Sequence, residues 1–474
     1  MVAQAPPFVA RNSAGDGGAC ATTDVDAGAI VLPGVICEDF FMELKRRTVM
    51  AAALATSFLI PAVAQAAPAD RQADPVRALE QVARPLLWTE PGRPTADLRA
   101  LGQMIGNAKV VGLGEATHGS HEFFAMKERV FRYLVEQKGF SAFALEVSWS
   151  AGVSIDEYLQ TGKGDVREVV AKNLAGSPWD REEFVSLLKW MRAYNRDHPG
   201  RTVHFLGHDI GAPAVDDAFF ERVTGYVRRE HPEKLSQLKE LYSGLRPIDA
   251  FAYLNKPLAE RRQLAGKAKQ ALDLVSGMSD PWVVQHARNI ARTAEFLSVD
   301  AADEATLPEF TRLRDRVMAE NVEWWQRQLG GKILTSAHNN HVGYLAADYP
   351  VHPKTQGAFL RDVFGRDYIP IGFTFDRGSF LSTNESVGGG DWQKFTVGAA
   401  APDTAEATLD RVAYEDFYLD LRTAPTRARA WLEASHPTRF VGTQYPTKIQ
   451  NVKLTQTFDV VIHLHDVTAA VKRS

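Results

Sequence analysis

The chain has 474 residues, of which 45% are hydrophobic and 24% are charged, as is ordinary for a soluble globular protein. This length accommodates two or three average domains, or one large domain with an insertion. The formal net charge is −4 and no basic patch alternates with aromatic residues, so nucleic acids and other polyanions are not expected as partners.

The N-terminal part of the chain has the features of an export signal. Residues 1–41 show no periodicity, and Met42 lies just before the basic run at 45–47, so we interpret 1–41 as a mis-assigned leader. An apolar stretch of about 14 residues and the small-residue cleavage site at 64–66 follow, which predicts a signal peptide over 42–66. The stretch is shorter than the roughly 20 residues of a membrane-spanning helix. We therefore expect a periplasmic or secreted protein, exported by the general or the twin-arginine route, without stable membrane association.

Cysteine chemistry is excluded from the predicted mature chain. Cys20 and Cys37 are the only cysteines, and both precede the predicted cleavage site. The mature protein would then have neither a disulfide nor a cysteine nucleophile. A core of the size that this chain can build does not need covalent cross-links.

The rest of the chain predicts an α/β domain with a helical insertion. An entry helix is predicted over 76–87, and strand-like and helix-like runs then alternate from 109 to 210, as in βαβ units with a parallel sheet. Residues 215–330 instead show long charged helical stretches without β-branched alternation. We therefore assign an α/β domain to 67–214 and 331–474, and an all-helical insert domain to 215–330.

Several elements of the α/β domain are specific enough to be placed. Apolar residues spaced three to four apart predict helices over 121–137 and 182–195. Strand signals return at Lys332, continue over 368–375 and end with 458–464. The stretch 398–407 is rich in Ala, Pro and Thr and is predicted to be a surface loop.

Four strand-like runs are each followed by acidic residues, histidines or both. The residues in question are Glu115, His118, Glu146, His208, Asp209, His338 and His341. In open α/β sheets, ligands bind outside the carboxyl ends of the strands. The repetition therefore predicts one site built from several strand ends.

Glu115 and His118 are the strongest candidates for chemistry. They lie three residues apart on a glycine-flanked turn, and a carboxylate beside an imidazole fixes its tautomer and raises its basicity. The alternative is that His118 only caps the next helix. For Glu146 the alternative is a solvent contact at the end of the sheet, and for His338 and His341 it is an ordinary loop position.

Two cations lie in register with apolar residues on their helices. Lys127 is flanked at helical spacing by phenylalanines and Val130, and either points into a cleft or extends along the surface to water. Arg314 is in register with Phe310 and Val317, and is a candidate to bind a carbonyl or carboxylate of a substrate.

Several common catalytic motifs do not occur. The sequence has no G-x-S-x-G, so a serine hydrolase of the usual kind is not supported. It also has no H-E-x-x-H, no Walker A loop and no G-x-G-x-x-G after a strand. The remaining histidines and carboxylates suit activation of a water molecule.

The pattern resembles the erythromycin esterase family. The segments that carry the resemblance are 114–119, 122–124, 143–146, 207–209, 314–321, 337–343 and 372–375. The resemblance implies a three-layer α/β fold with a mainly parallel central sheet, a large helical insert domain and a deep cleft between them. It also implies hydrolysis of a carboxylic ester by an activated water, without a metal or another cofactor.

Carried over to this sequence, the resemblance implies a role for each strand-end residue. His118 is the general base, and Glu115 and Glu146 orient it or the water. His338 and His341 form a second histidine pair, which stabilises the oxyanion or protonates the leaving alcohol.

The remaining candidates are assigned to substrate binding. They are Lys127, Asp209, Arg314 and Asn339. The expected substrate is a cyclic or bulky ester, with a macrolactone, as in antibiotic resistance, the best-known target of the family. Macrolide-opening members are typically cytoplasmic, whereas this chain is predicted to be exported, so the substrate stays open. We expect a monomer.

Two other functions remain as alternatives. His118, His338 and His341 with one carboxylate have the ligand types of a catalytic zinc site, which would make the protein a metal-dependent hydrolase. The other alternative is a periplasmic protein that binds haem or a related tetrapyrrole, with exposed histidines or Tyr344 as axial ligands.

Overall fold

The computed structural model describes residues 74–211, 214–300, 303–348, 350–387 and 389–473. The predicted leader and signal peptide, 1–41 and 42–66, lie outside these residues. Within the described ranges, no helix has both the length and the apolarity that crossing a membrane requires.

The elements are numbered along the described chain. The strands are β1 Arg84–Pro85, β2 Val110–Leu113, β3 Phe140–Ser148, β4 His204–Asp209, β5 Ala214–Val215, β6 Ile248–Asp249, β7 Lys332–Ser336, β8 Tyr368–Asn384, β9 Gly389–Val397, β10 Phe417–Asp420, β11 His436–Thr438, β12 Gln444–Tyr445, β13 Gln450–Val452 and β14 Val460–Val467. The helices are α1 Val76–Glu80, α2 Arg99–Ile105, α3 His121–Lys138, α4 Trp149–Thr161, α5 Val166–Leu174, α6 Glu182–Asp197, α7 Asp217–Glu230, α8 Leu235–Tyr242, α9 Ala250–Leu254, α10 Leu258–Val275, α11 Pro281–Leu297, α12 Leu307–Leu329, α13 Asn339–Val342, α14 Gln356–Phe364, α15 Ala405–Leu409, α16 Thr426–Glu433 and α17 Leu454–Thr457.

A ten-stranded sheet forms the centre of the described part of the chain. Its main order is β1-β10-β14-β8-β2-β7-β3-β4, and β9 and β12 also pair with β8. The six strands from β14 to β4 are mutually parallel, whereas β1, β10 and β9 add antiparallel pairs at one side. The predicted α/β class with a mainly parallel sheet is therefore confirmed.

The central strands are apolar on both faces because each face is covered by helices. Val111 and Phe143 belong to a core that they share with α3 and α6, whereas Val110, Ala144 and Leu206 belong to a second core with α7, α11 and α12. The sheet is thus the middle of three layers. The helices predicted at 121–137 and 182–195 are α3 and α6.

The register of the sheet brings the predicted strand ends to one edge. Leu113 of β2 pairs with Ser336 of β7 on one side and with Ile371 of β8 on the other. Leu145 of β3 pairs with Ser336 and with Gly207 of β4. Because these strands are parallel, the residues that follow their carboxyl ends converge.

Between Asp217 and Leu329 the described elements are helices, with the exception of β6, which pairs with β5 as a two-residue antiparallel ladder. The short pairing was not predicted, since two residues are too few to show a strand period. Helix α12 packs against β4 and β7, so the helical region contacts the sheet beside the strand ends.

Three local predictions differ from the structure. The helix predicted over 76–87 ends at Glu80, and Pro85, which disfavours the helical conformation in Arg84, lies in β1, where the chain joins the sheet. The loop predicted at 398–407 includes the start of α15. Glu146 lies inside β3 rather than at its end, since the strand continues through a register shift between Leu145 and Ser148.

Close backbone approach explains the two glycines around the first strand-end turn. A Cβ atom at Gly119 would overlap the backbone of Leu381, with which Gly119 exchanges a hydrogen bond, and one at Gly114 would overlap the side chain of Asn339. The turn is therefore pressed against β8 and α13.

We expect Gly119→Ala to lower the free energy of unfolding by about 2 kcal/mol, because the added methyl group forces the β8 backbone away. Gly266→Ala is the matched control. Gly266 lies inside α10 with open space around its Cβ position, so that variant should be stabilised by about 0.5–1 kcal/mol. Urea titration of both variants measures the difference. Equal stability of Gly119→Ala and the wild type would contradict the packing argument.

Candidate active site

The turn after β2 holds a buried chain of three charged or titratable groups. Oε1 of Glu115 lies 2.5 Å from Nδ1 of His118, and Nζ of Lys127 on α3 donates to Oε2 of the same carboxylate. Glu115 and Lys127 are almost completely buried, and His118 is 7% exposed. Glu115 therefore accepts the Nδ1 proton of His118, which makes Nε2 the basic nitrogen.

The side chain of Lys127 contacts the carboxylate of Glu115 and does not point into a cleft. Its side chain is 1% exposed and its ammonium group pairs with Glu115. Burial lowers the pKa of Lys127, and the charge of Glu115 opposes that shift. The structure thus gives Lys127 a positioning role where the sequence predicted contact with a substrate.

Glu146 connects the two groups of histidines. Its Oε2 accepts the backbone N–H of His338 at 2.9 Å, and its Oε1 lies 2.7 Å from Nη2 of Arg314 and 3.4 Å from Nε2 of His341. Burial favours the neutral acid, but attraction to His341 and Arg314 prevails. These neighbours hold the pKa of Glu146 well below its usual range.

Arg314 lies between two carboxylates. Besides Glu146 it contacts Asp209 at the end of β4, through Nε at 3.0 Å and Nη2 at 2.7 Å. Asp209 also accepts the backbone N–H groups of Ile210 and Gly211. The bidentate contact between the guanidinium of Arg314 and the carboxylate of Asp209 is strong and directional. Arg314 therefore fixes α12 of the helical region to β3 and β4. Substrate binding by Arg314 and Asp209 stays a prediction.

His341 lies between two buried carboxylates, and its Nε2 also lies 3.2 Å from Nη1 of Arg314. Its Nδ1 lies 2.9 Å from Oδ1 of Asp315, whose Oδ2 is 2.7 Å from Nε2 of His352. Burial acts to lower the pKa of His341, but Asp315 and Glu146 raise it to about 9. At neutral pH the His341 ring can therefore donate a proton.

His338 has the opposite protonation preference. It is the N-cap of α13, where its Nδ1 accepts the backbone N–H of Asn340 at 3.3 Å. Burial, reinforced by repulsion from His118, holds the pKa of His338 well below its usual range. The ring is thus neutral with its proton on Nε2, and this buried atom has no partner among the described residues.

The rings of His118 and His338 are neighbours, with centroids 5.0 Å apart and planes inclined by 46°. The general-base candidate and the neutral N–H donor therefore belong to one site. Trp179 lies edge-on to His118 at 5.7 Å and Phe440 lies edge-on to His338 at 6.0 Å, so each ring also has an aromatic contact.

Asn339 is fully buried between α13 and β8. Its Nδ2 donates to the carbonyl of Phe373 at 2.7 Å, and its Oδ1 accepts the N–H of the same residue at 3.1 Å. Its backbone N–H also donates to the carbonyl of Glu115. These hydrogen bonds hold the segment 338–341, the histidine loop, against β8. The sequence had instead predicted that Asn339 contacts the substrate.

Asp315, His352 and Trp179 are site residues that the sequence analysis did not select. Asp315 lies inside the segment 314–321 that carries the family resemblance, and this was the available signal. His352 and Trp179 lie in irregular segments without periodicity or a motif, so only the tertiary structure shows their contacts.

Two groups of three ligand-type side chains have their ligand atoms within 4.8 Å of one another in the described chain. They are Asp315, His341 and His352, and Asp376, Asp410 and His465. Neither group includes His118 or His338, which the zinc alternative required. Tyr344, the axial ligand of the haem alternative, has its hydroxyl 2.9 Å from Asp459.

The sequence model of the erythromycin esterase family matches residues 135–467. The chain belongs to the erythromycin esterase family. The matched residues include Glu146 and the histidine loop. They begin after Glu115 and His118, so the contacts of these two residues with the rest of the site come from the structure.

Curated relatives are similar over much of the chain. The erythromycin esterase type II of Escherichia coli is 23% identical over 317 residues, which cover 61% of this chain and 74% of that protein. A putative hydrolase of Bacillus subtilis (strain 168) is 24% identical over 410 residues, which cover 79% of this chain and 87% of that protein.

Solved structures share the fold over most of this chain and over nearly the whole of their own chains. A succinoglycan biosynthesis protein has a TM-score of 0.77 at 30% identity and covers 85% of this chain and 99% of its own. A Bacillus cereus protein has a TM-score of 0.77 at 28% identity, with 84% and 98% covered. An erythromycin esterase mutant in its open conformation has a TM-score of 0.62 at 18% identity, with 80% and 96% covered, and shows the shared fold.

We expect Lys127→Met to lower the free energy of unfolding by about 3–5 kcal/mol, because it leaves the buried carboxylate of Glu115 without its cation. The double variant Lys127→Met with Glu115→Gln removes both charges and should regain a large part of that loss. Urea unfolding of the two variants makes the comparison. If the single variant is as stable as the wild type, the ion pair does not hold the turn.

Proposed function

We propose that this protein is a hydrolase of carboxylic esters in which His118 activates the attacking water. The observation that carries the proposal is the adjacent pair of rings: Glu115 lies 2.5 Å from Nδ1 of His118, and the centroid of the His338 ring lies 5.0 Å from that of His118. Ester hydrolysis needs a base for water and a donor for the oxyanion, and these two rings supply one each.

The order of the proposed proton transfers follows from the protonation states of His118, His338 and His341. His118 takes a proton from water through Nε2, and Glu115 stabilises the imidazolium that forms. The hydroxide adds to the ester carbon, and the oxyanion accepts the unpartnered Nε2–H of His338. His341 is already cationic and gives its proton to the leaving alcohol when the carbon–oxygen bond breaks.

Two further parts of the proposal concern substrate and location. The substrate is a bulky or cyclic ester such as a macrolactone, which is supported by similarity to proteins named erythromycin esterases. Export to the periplasm or medium is supported by the sequence of residues 42–66. Reaction without a metal is supported by the pairing of Glu115, Glu146, Asp209 and Asp315, the buried carboxylates of the site, with a cation or an imidazole.

A metal-dependent version is the second candidate. The observation that favours it is the cluster of Asp315, His341 and His352, whose ligand atoms lie within 4.8 Å of one another. Two imidazoles and a carboxylate are ligands that zinc accepts, and a catalytic zinc site uses three protein ligands with one open position.

We expect His118→Asn to reduce kcat by about 10²–10⁴ on 4-nitrophenyl acetate and on erythromycin, because the general base is lost. KM should change little, since the base acts mainly in the transition state. His198→Asn, an exposed histidine, is the matched control and should leave both constants unchanged.

A His118→Asn variant with nearly normal kcat would remove His118 from the reaction. Failure of the wild type to hydrolyse any ester would remove the proposed activity. Elemental analysis of the same preparation separates the two versions. Stoichiometric zinc, with activity lost when the zinc is stripped, would replace the metal-free version.

Asp315→Asn should shift the alkaline limb of the pH profile of kcat/KM to lower pH by about one unit, because a nearby opposite charge is lost. The sign follows from the contact: Asp315 raises the pKa of His341 to about 9, so its removal lowers that pKa. The proton donor is then lost at a lower pH. The acidic limb should stay in place. An unchanged alkaline limb would exclude His341 as the acid.

A further inference from the structure

A cavity of about 360 Å³ lies between the segments 400–406, 437–439 and 449–451, and the mechanism above does not use it. Its size falls within the range of small-molecule sites. The lining residues that matter for its chemistry are Asp403, Thr404, Glu406, Arg439, Ile449 and Asn451.

Glu406 carries a polar atom that lacks a partner. The residue is fully buried in the first turn of α15, and one of its oxygens, Oε1, accepts the backbone N–H of Arg439 at 2.6 Å. The other oxygen, Oε2, is buried and has no hydrogen-bond partner within the described chain. Burial raises the pKa of Glu406 to about 7. Leaving a buried polar atom unpaired is costly, and a ligand can remove that cost.

The other polar groups of the cavity are mixed donors and acceptors. Asp403 offers a carboxylate, Thr404 a hydroxyl and Asn451 an amide, whereas the guanidinium of Arg439 is held by the carbonyl of Asp376 at 2.9 Å and lies over the ring of Phe375. A hydroxyl group both donates and accepts, so it matches such a lining better than a simple cation or anion. The apolar side chain of Ile449 can cover the carbon face of a ring.

Residues next to the cavity lining in the chain contact residues of the proposed active site. Phe440 follows Arg439 and packs edge-on against His338, and the N–H of Val441 donates to the carbonyl of Ala116 at 2.7 Å. On the other wall, Gln450 lies next to Asn451 in the chain, and its Oε1 lies 3.4 Å from Nδ2 of Asn340 in the histidine loop.

We propose that this cavity binds a hydroxyl-bearing group, a sugar ring or a polyol, with one hydroxyl hydrogen-bonded to Oε2 of Glu406. This proposal rests on the proposed function in one respect only, namely that the cavity belongs to an ester hydrolase. The group belongs either to the ester substrate itself or to a separate molecule. The chemistry of recognition is the same in both cases.

Binding is tested directly, without turnover. The probes are glycerol and the methyl α-glycosides of glucose, galactose and mannose, followed by saturation-transfer NMR on the full mature protein. We expect at least one glycoside to bind the wild type, and to bind Glu406→Ala and Asn451→Ala about tenfold more weakly. Glu406→Gln keeps an acceptor for the N–H of Arg439 and a partner for a hydroxyl, so it should stay within about threefold.

Lys448→Ala is the control, since Lys448 is exposed on the loop between the same walls and does not line the cavity. It should bind like the wild type. The proposal is overturned if no probe binds the wild type, or if Glu406→Ala and Asn451→Ala bind as tightly as the wild type does.

Kinetics then identify the source of the hydroxyl group and separate this proposal from the proposed function. A rise in KM of Glu406→Ala for glucose 6-acetate, but not for 4-nitrophenyl acetate, assigns the group to the substrate. A change in 4-nitrophenyl acetate hydrolysis on adding the glycoside assigns it to a separate molecule. Glycoside binding without any ester hydrolysis would contradict only the proposed function.

Discussion

The pairing of buried carboxylates organises the whole site. Glu115, Glu146 and Asp209 lie at or near strand ends and Asp315 lies on α12, all with almost no exposure, and an unpaired charge in such a position would cost several kcal/mol. Each carboxylate is therefore matched by a cation or an imidazole from another element. Arg314 satisfies two of them at once. This requirement, more than any apolar contact, fixes how the helical region meets the sheet.

The same pairing sorts three neighbouring histidines into different tasks. The carboxylates beside His341 raise its pKa, whereas burial and repulsion from His118 lower the pKa of His338. His118 shares its Nδ1 proton with Glu115. The three histidines therefore differ in protonation preference, as the proposed roles of base, neutral donor and acid require. Identical side chains acquire these differences only from their surroundings.

Membership in the erythromycin esterase family and the structural likeness to its relatives establish the fold and the hydrolase class, but not the substrate. The cavity around Glu406 is the part of the molecule that we propose to bind a hydroxyl-bearing group. Phe440, which contacts His338, follows the lining residue Arg439 in the chain. The segments that line it, 398–407 and 446–452, are mostly irregular and include only the start of α15 and the short strand β13, so their sequence shows no period.

The sequence by itself determined the strand ends, because a buried strand in a parallel sheet is a short apolar run and a polar residue after it is easily seen. That rule found Glu115, His118, Glu146, His338 and His341 and predicted that they converge. Only the tertiary structure decided which partner each of them has. Lys127 and Asn339 proved to be buried supports, and His352 came from an irregular loop, since contacts between distant segments depend on register and packing that no local spacing records.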